Sequence, residues 1–99
     1  MPSWLLQNSD EKPITLRLHP GTVKTVGRGA RADFILDAAL VSRVHCRLSA
    51  DASGQLLVED LGSTNGTSVN GVVAARAVLK EGDILTIGRV DFTVSRVES

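Results

Sequence analysis

The chain of 99 residues has a single cysteine, no net charge and no long apolar run. Cys46 alone can close no internal disulfide and cannot build a zinc site, so a disulfide-stapled scaffold and a cysteine-based metal centre are both excluded, and a reduced, cytoplasmic setting is expected. Eleven Lys and Arg offset eleven Asp and Glu, which removes the global positive charge that non-specific nucleic-acid binding relies on. Apolar stretches such as Ala38 to Val41 run for a handful of residues, where a membrane-spanning helix needs about 20. The Met1 end also lacks the charged-then-apolar order of a signal peptide, and begins just before the first expected strand. Nucleic acid and membrane are therefore not expected partners. Internal repeats, low-complexity tracts and linkers are absent too, and the length admits one domain, so residues 1–99 are expected to form a single unit whose chemistry comes from its loops.

What is present is an alternating pattern. Ile14, Leu16 and Leu18 alternate with polar neighbours, as do Val44, Cys46, Leu48 and Ala50, and Val90, Phe92 and Val94, a period of two that predicts half-buried strands. Turn residues punctuate these runs at Pro20-Gly21, Gly27 to Gly29, Ser53-Gly54, Gly62, Asn65-Gly66, Asn70-Gly71 and Gly82-Asp83, the rhythm of a β-sandwich. Eleven strands are expected near 4–7, 14–18, 22–26, 32–36, 44–50, 55–59, 67–69, 72–73, 77–79, 83–87 and 90–97, packed as two antiparallel sheets. Residues 72–80 carry some helical propensity, but open with β-branched residues between two turn signals, and are read as extended.

Two chemical patterns are weighed and set aside. Gly27-Arg-Gly-Ala-Arg-Ala32 matches a dinucleotide-binding fingerprint, yet that motif works only when a helix starts at the glycines, and residues 33–36 read as a strand. Ser42, His45 and Asp60 supply the side-chain types of a hydrolase triad, but there is no nucleophile elbow, and His45 reads as a loop-base side chain bonding to backbone. No enzyme activity, metal or cofactor is expected.

Charge distribution says more than charge total. Between Gly27 and Arg47 four arginines face two aspartates, and the chain's basic residues are Arg rather than Lys by eight to three. A guanidinium fork can grip a phosphate through two parallel bonds where an ammonium is a point charge. Arg28 and Arg43 fall in expected loops beside Gly27 and Ser42, offering guanidinium groups, a hydroxyl and backbone N–H groups, a set suited to a phosphate monoester. Asp60 to Gly66 is a dense turn in which Asn65-Gly66 can take positive φ and the Ser63 and Thr64 hydroxyls can bond neighbouring backbone. Asn70-Gly71 repeats the signal five residues on, so that Asn65 is held at a surface where its amide can both donate to and accept from a peptide backbone.

Taken together, Gly27-Arg28, Ser42-Arg-Val-His45, Ser63-Thr-Asn-Gly66, Asn70-Gly71 and the Leu79-Lys-Glu-Gly-Asp83 turn resemble the forkhead-associated (FHA) domain in order and spacing, with similar flanks at Phe34-Ile-Leu-Asp37 and Val58-Glu-Asp-Leu-Gly62. The resemblance implies an eleven-stranded all-β sandwich with its binding loops at one end, recognising phosphothreonine segments of partner proteins in Ser/Thr kinase signalling, such as a kinase or its substrate. It implies phosphate contacts from Arg28, Ser42 and Arg43, a phosphothreonine site lined by Thr64, and a peptide main chain held by Asn65. Gly27, His45, Gly66, Asn70 and Gly71 would shape the loops without touching ligand. Leu40 stands where some members carry an arginine that selects an acidic residue downstream, so that selectivity does not carry over. The alternative use of the same fold is a scaffold or oligomerisation surface with little phosphate dependence.

Overall fold

The computed structural model describes residues 2–11 and 13–98; Met1 and Ser99, the ends of the expected domain, lie outside the described residues. Eleven strands form two sheets: β1 (Pro2–Gln7), β2 (Thr15–Leu18), β3 (Thr22–Gly27), β4 (Phe34–Ile35), β5 (Cys46–Ala50), β6 (Leu56–Asp60), β7 (Thr67–Val69), β8 (Val72–Val73), β9 (Arg76–Leu79), β10 (Ile84–Ile87) and β11 (Val90–Glu98). One sheet runs β2-β1-β11-β10-β7-β8 and the other β4-β3-β5-β6-β9. Among the described residues no helix is long and apolar enough to cross a membrane.

Alternation builds the core. Trp4, Leu6, Leu16, Leu18, Leu85, Ile87, Phe92 and Val94 of the first sheet meet Val26, Cys46, Leu48, Ala50, Leu56, Val58 and Leu79 of the second, with Leu36 and Val41 closing the loop end. Residues one apart on a strand point to opposite faces, so each sheet buries one set and leaves the other in water. The 72–80 segment holds no helix: Val72–Val73 and Arg76–Leu79 are extended, as β8 and β9.

Three expectations need correction. The sheets are not wholly antiparallel: β3 and β4 pair in parallel, Val26 with Phe34 and Gly27 with Ile35. The carboxylate of Asp33 accepts from both the Thr25 N–H and the Thr25 hydroxyl, pinning the returning loop beside the middle of β3, so the chain re-enters the sheet in the direction it left. The fourth strand, expected over 32–36, is then only two residues long. The alternation read from Val44 also starts too early: β5 begins at Cys46, Val44 is exposed, and His45 and Cys46 are buried in succession. The reason is polar, because His45 is drawn inward by hydrogen bonds rather than by pleat.

The β7–β8 turn pairs Val69 with Val72 across Asn70 and Gly71, both at positive φ, the two-residue hairpin geometry for which Asn-Gly is suited. The Asn70 side chain donates to Asp83 and accepts from the Ile84 N–H, while Asp83 accepts from the Lys80 N–H. This ties the hairpin to the β9–β10 turn.

Candidate functional site

Three loops meet at one end of the sandwich: 28–33 after β3, 36–45 after β4 and 61–66 after β6. The first two are zipped by backbone bonds, from Arg28 N–H to the Ser42 carbonyl (2.9 Å) and from Gly29 N–H to the Arg43 carbonyl (3.0 Å). Gly27 makes this approach possible. A Cβ there would lie 2.1 Å from the Arg43 carbonyl oxygen, so only a residue without a side chain lets the loops close.

His45 ties the second loop to the third. It is fully buried, and its Nδ1 accepts the Ser42 N–H (3.0 Å). A backbone amide can only donate, so Nδ1 is unprotonated and Nε2 carries the hydrogen that goes to the Gly66 carbonyl (2.8 Å). The His45 main chain adds bonds from its N–H to Val26 and from the Leu61 N–H to its carbonyl. With these bonds made, neither His45 nor Asp60 is arranged for triad chemistry: the imidazole engages the Ser42 backbone, and the Asp60 carboxylate engages Ser63, Thr67 and Gly62.

Ser42 and Thr64 join across the gap, the Thr64 N–H donating to the Ser42 hydroxyl oxygen at 3.0 Å. That bond occupies a lone pair and leaves the hydroxyl proton for another acceptor. The Asn65 amide donates to the Leu40 carbonyl (3.2 Å). Leu40 itself sits at a φ of 68°, with its carbonyl packed so closely on Gly88 that a Cβ there would come within 2.9 Å. Arg28 and Arg43 are exposed and, among the described residues, the only ion pair joins Arg47 to Glu59 on neighbouring strands. Arg28, Ser42, Arg43, Thr64 and Asn65 are thus brought to one loop surface over Gly27, His45 and Gly66. Asn70 and Gly71 stand apart in the next hairpin, bonded to the β9–β10 turn.

Several residues take parts that the sequence did not assign them. Asp60 organises the third loop: its carboxylate accepts from the Gly62 and Ser63 N–H groups and from the Ser63 and Thr67 hydroxyls, and the Ser63 hydroxyl in turn accepts the Gly66 N–H. Burial pushes the Asp60 carboxyl up, but the hydrogen bonds from Ser63 and Thr67 outweigh it and hold the group below the usual aspartate range. An Asp two and three residues before turn N–H groups is a recognisable Asx turn, whereas the Thr67 bond depends on β7 returning beside β6. Leu40 and Gly88 meet only in three dimensions. Beside Arg43, a groove of about 460 Å³ is lined by Gly29, Ala30, Arg31, Arg43 and Val44. Cys46, beneath the loops, has its thiol pushed up to about 12 by burial and by the nearby Asp60 carboxylate, so it stays protonated at neutral pH.

The chain is similar to known proteins over this whole region. It is 38% identical over 78 residues to the ABC transporter ATP-binding/permease protein Rv1747 of Mycobacterium tuberculosis, covering 79% of this chain and 9% of that protein. It is 37% identical over 89 residues to the FHA domain-containing protein FhaA of the same organism, covering 90% of this chain and 16% of that protein. The chain therefore spans a small part of the length of these relatives. A solved structure from a structural and functional analysis of phosphothreonine-dependent FHA domain interactions superposes with a TM-score of 0.86 at 34% identity, covering 98% of both chains. The FHA domain model matches residues 24–88, a span that runs from β3 through all three loops to the turn after β10, and the chain belongs to the FHA domain family.

Proposed function

We propose that the chain is a single, non-catalytic FHA module, residues 1–99, that docks phosphothreonine-containing segments of a partner protein in Ser/Thr kinase signalling, the partner being a kinase or a kinase substrate in the cytoplasm. The observation that carries this reading is the junction of Ser42 with Thr64: the hydroxyl oxygen is held by a backbone N–H from the opposite loop, its proton is left for a further acceptor, and Arg28 and Arg43, without an ion pair among the described residues, lie on the loops beside it. A phosphate dianion takes a hydroxyl proton and guanidinium forks together. In this reading Arg28, Ser42 and Arg43 hold the phosphate, Thr64 lines the phosphothreonine site, and Asn65 exchanges its bond to the Leu40 carbonyl for the peptide main chain. Gly27, His45 and Gly66 hold the loops in register, and Asn70 and Gly71 shape the next hairpin, which is tied to the β9–β10 turn. The solved relative's phosphothreonine-dependent interactions support the reading.

Calorimetric titration with one peptide in phosphothreonine, phosphoserine and unphosphorylated forms tests it. The phosphothreonine form should bind, the phosphoserine form more weakly because burying the extra methyl contributes about 0.8 kcal/mol, and the unphosphorylated form not measurably. Equal binding of the phosphorylated and unphosphorylated peptides would sink the proposal.

A second reading, a scaffold or oligomerisation surface, is favoured by Val72 and Val73, which are 67% and 74% exposed on the edge strand β8. Sedimentation across a wide concentration range separates the two, because self-association through β8 would be independent of phosphate.

A further inference from the structure

The chain carries the dipeptide Asn-Gly twice, at Asn65-Gly66 and at Asn70-Gly71, and the fold holds the two differently. An asparagine before a glycine is open to attack on its own side chain, because the next residue's nitrogen can reach the amide carbon and no Cβ stands in the way. Asn70 is tied down against that attack. Its side-chain oxygen accepts the Ile84 N–H (2.9 Å) and its side-chain nitrogen donates to the Asp83 carboxylate (3.0 Å), while its main-chain N–H donates to the Ile84 carbonyl (2.8 Å). Turning the amide toward Gly71 would break both side-chain bonds. Asn65 is exposed, and among the described residues its side chain makes one longer bond, from its nitrogen to the Leu40 carbonyl (3.2 Å). The nitrogen that would attack it is held in place. The Gly66 N–H donates to the Ser63 hydroxyl oxygen (3.0 Å), whose own hydrogen goes to the Asp60 carboxylate, and the Gly66 carbonyl accepts from His45 Nε2 (2.8 Å). A nitrogen whose hydrogen points at a hydroxyl backed by a carboxylate faces a positioned general base.

We infer that Asn65-Gly66 is a self-modification site, at which the asparagine converts to aspartate or isoaspartate while Asn70-Gly71 in the same chain is spared. The Gly66 nitrogen bonds to the Asn65 side-chain carbonyl carbon, giving its proton to Ser63 as Ser63 passes its own to Asp60. The bond from that carbon to the side-chain nitrogen then breaks, and the nitrogen takes back a proton and leaves as ammonia. Water opens the cyclic imide at either carbonyl, so the net change is one water consumed and one ammonia released, with nothing oxidised or reduced. The consequence rests on the phosphothreonine reading. A carboxylate at position 65 can no longer donate to a peptide carbonyl, and it sets a negative charge beside the phosphate. Isoaspartate also inserts a methylene into the main chain ahead of Gly66, which shifts the carbonyl that His45 holds.

The test is incubation of the folded chain at mildly alkaline pH over days, with conversion at 65 and at 70 read separately by mass spectrometry of proteolytic peptides. Asn65 should convert while Asn70 stays intact. In denaturant, where only the local sequence acts, the two should convert at similar rates. Excess phosphothreonine peptide should slow conversion at 65 and leave 70 unchanged. The fresh chain should bind that peptide, and both the converted fraction, separated by its added charge, and an Asn65→Asp variant should bind it about tenfold more weakly or worse. No conversion at 65 in the folded chain, or conversion at 70 as fast as at 65, overturns the site. Conversion at 65 with affinity unchanged overturns its effect on binding. If the fresh chain fails to bind the phosphothreonine peptide, the phosphothreonine reading falls, while the two conversion rates still decide the modification.

Discussion

At the scale of single residues, exposure separates Arg28 from His45. Arg28 is exposed and, among the described residues, unpaired, so its side chain contributes little to folding, whereas in the proposed site it makes a charge-assisted contact. Arg28→Ala should lose about 1.5–3 kcal/mol of phosphopeptide binding and melt within a degree or so of the parent. Unchanged affinity in a folded variant, read by calorimetry, would remove Arg28 from the site. His45 is the reverse case: it is fully buried, and its removal orphans the Ser42 N–H and the Gly66 carbonyl. His45→Ala should cost about 1–3 kcal/mol of stability in a denaturant melt, and binding should weaken as the loops separate. Full stability with lost affinity would instead make His45 a direct ligand contact. That Arg28, Ser42 and Asn65 fall in loops was legible from residue type and spacing. That Arg31 lines a groove was not, because nothing in sequence distinguishes an arginine lining a groove from one on an ordinary loop.

At the scale of elements, the site depends on how closely two loops can approach. Gly27 ends β3 with the 43–44 backbone packed against its α-carbon, and an added Cβ would lie 2.1 Å from one carbonyl oxygen and 2.9 Å from the Val44 Cα. These are backbone atoms, which cannot swing aside as a side chain does. Gly27→Ala should therefore destabilise the fold by about 1–3 kcal/mol, the ordinary cost of overpacking, and weaken binding because Arg28 and Ser42 are forced apart. A variant with parental melting and parental affinity would show that the approach is looser than the geometry here. Periodicity located the strands that bury one face and turn signals bounded the short β7 and β8, but the ends of β4 and β5 were misplaced. There side-chain hydrogen bonds, Asp33 to Thr25 and His45 to Ser42 and Gly66, decide where the pleat starts, and hydrophobic alternation carries no record of them.

For the whole molecule, acid is the informative perturbation. Four aspartates have carboxyls held below the ordinary value of 3.8: Asp33 by the Thr25 N–H and hydroxyl, Asp51 by the Ser53 hydroxyl and Gln55 N–H, Asp60 by Ser63 and Thr67 against the opposing effect of burial, and Asp83 by the Asn70 amide and Lys80 N–H. Asp60 ends β6 and the other three sit in loops or turns, and each ties a different loop down. A depressed folded-state pKa means that the unfolded chain takes up the proton first as pH falls, so the stability these groups contribute is complete above about pH 4 and is lost as pH falls through their lower folded values. Thermal melts should fall steeply below about that pH, with the loop signals failing along with the core. A melting temperature unchanged well below pH 3 would show that the carboxylates are not holding the loops. Asp60→Asn should flatten part of this acid limb, since the amide does not titrate.

The sequence by itself determined an all-β sandwich and a set of loop residues suited to phosphate, because period-two hydrophobicity, Asn-Gly turns and arginine beside serine are local properties that act within a few residues of one another. Only the tertiary structure decided which of those loops meet, that β3 and β4 run in parallel, that Asp60 organises the 61–67 turn with Thr67, that Leu40 is held between Asn65 and Gly88, and that Arg31 shares a groove with Arg43. Those facts depend on contacts between residues far apart in the chain, whose energies arise from packing and hydrogen bonding after the two sheets have closed and are not encoded in the spacing of any one segment.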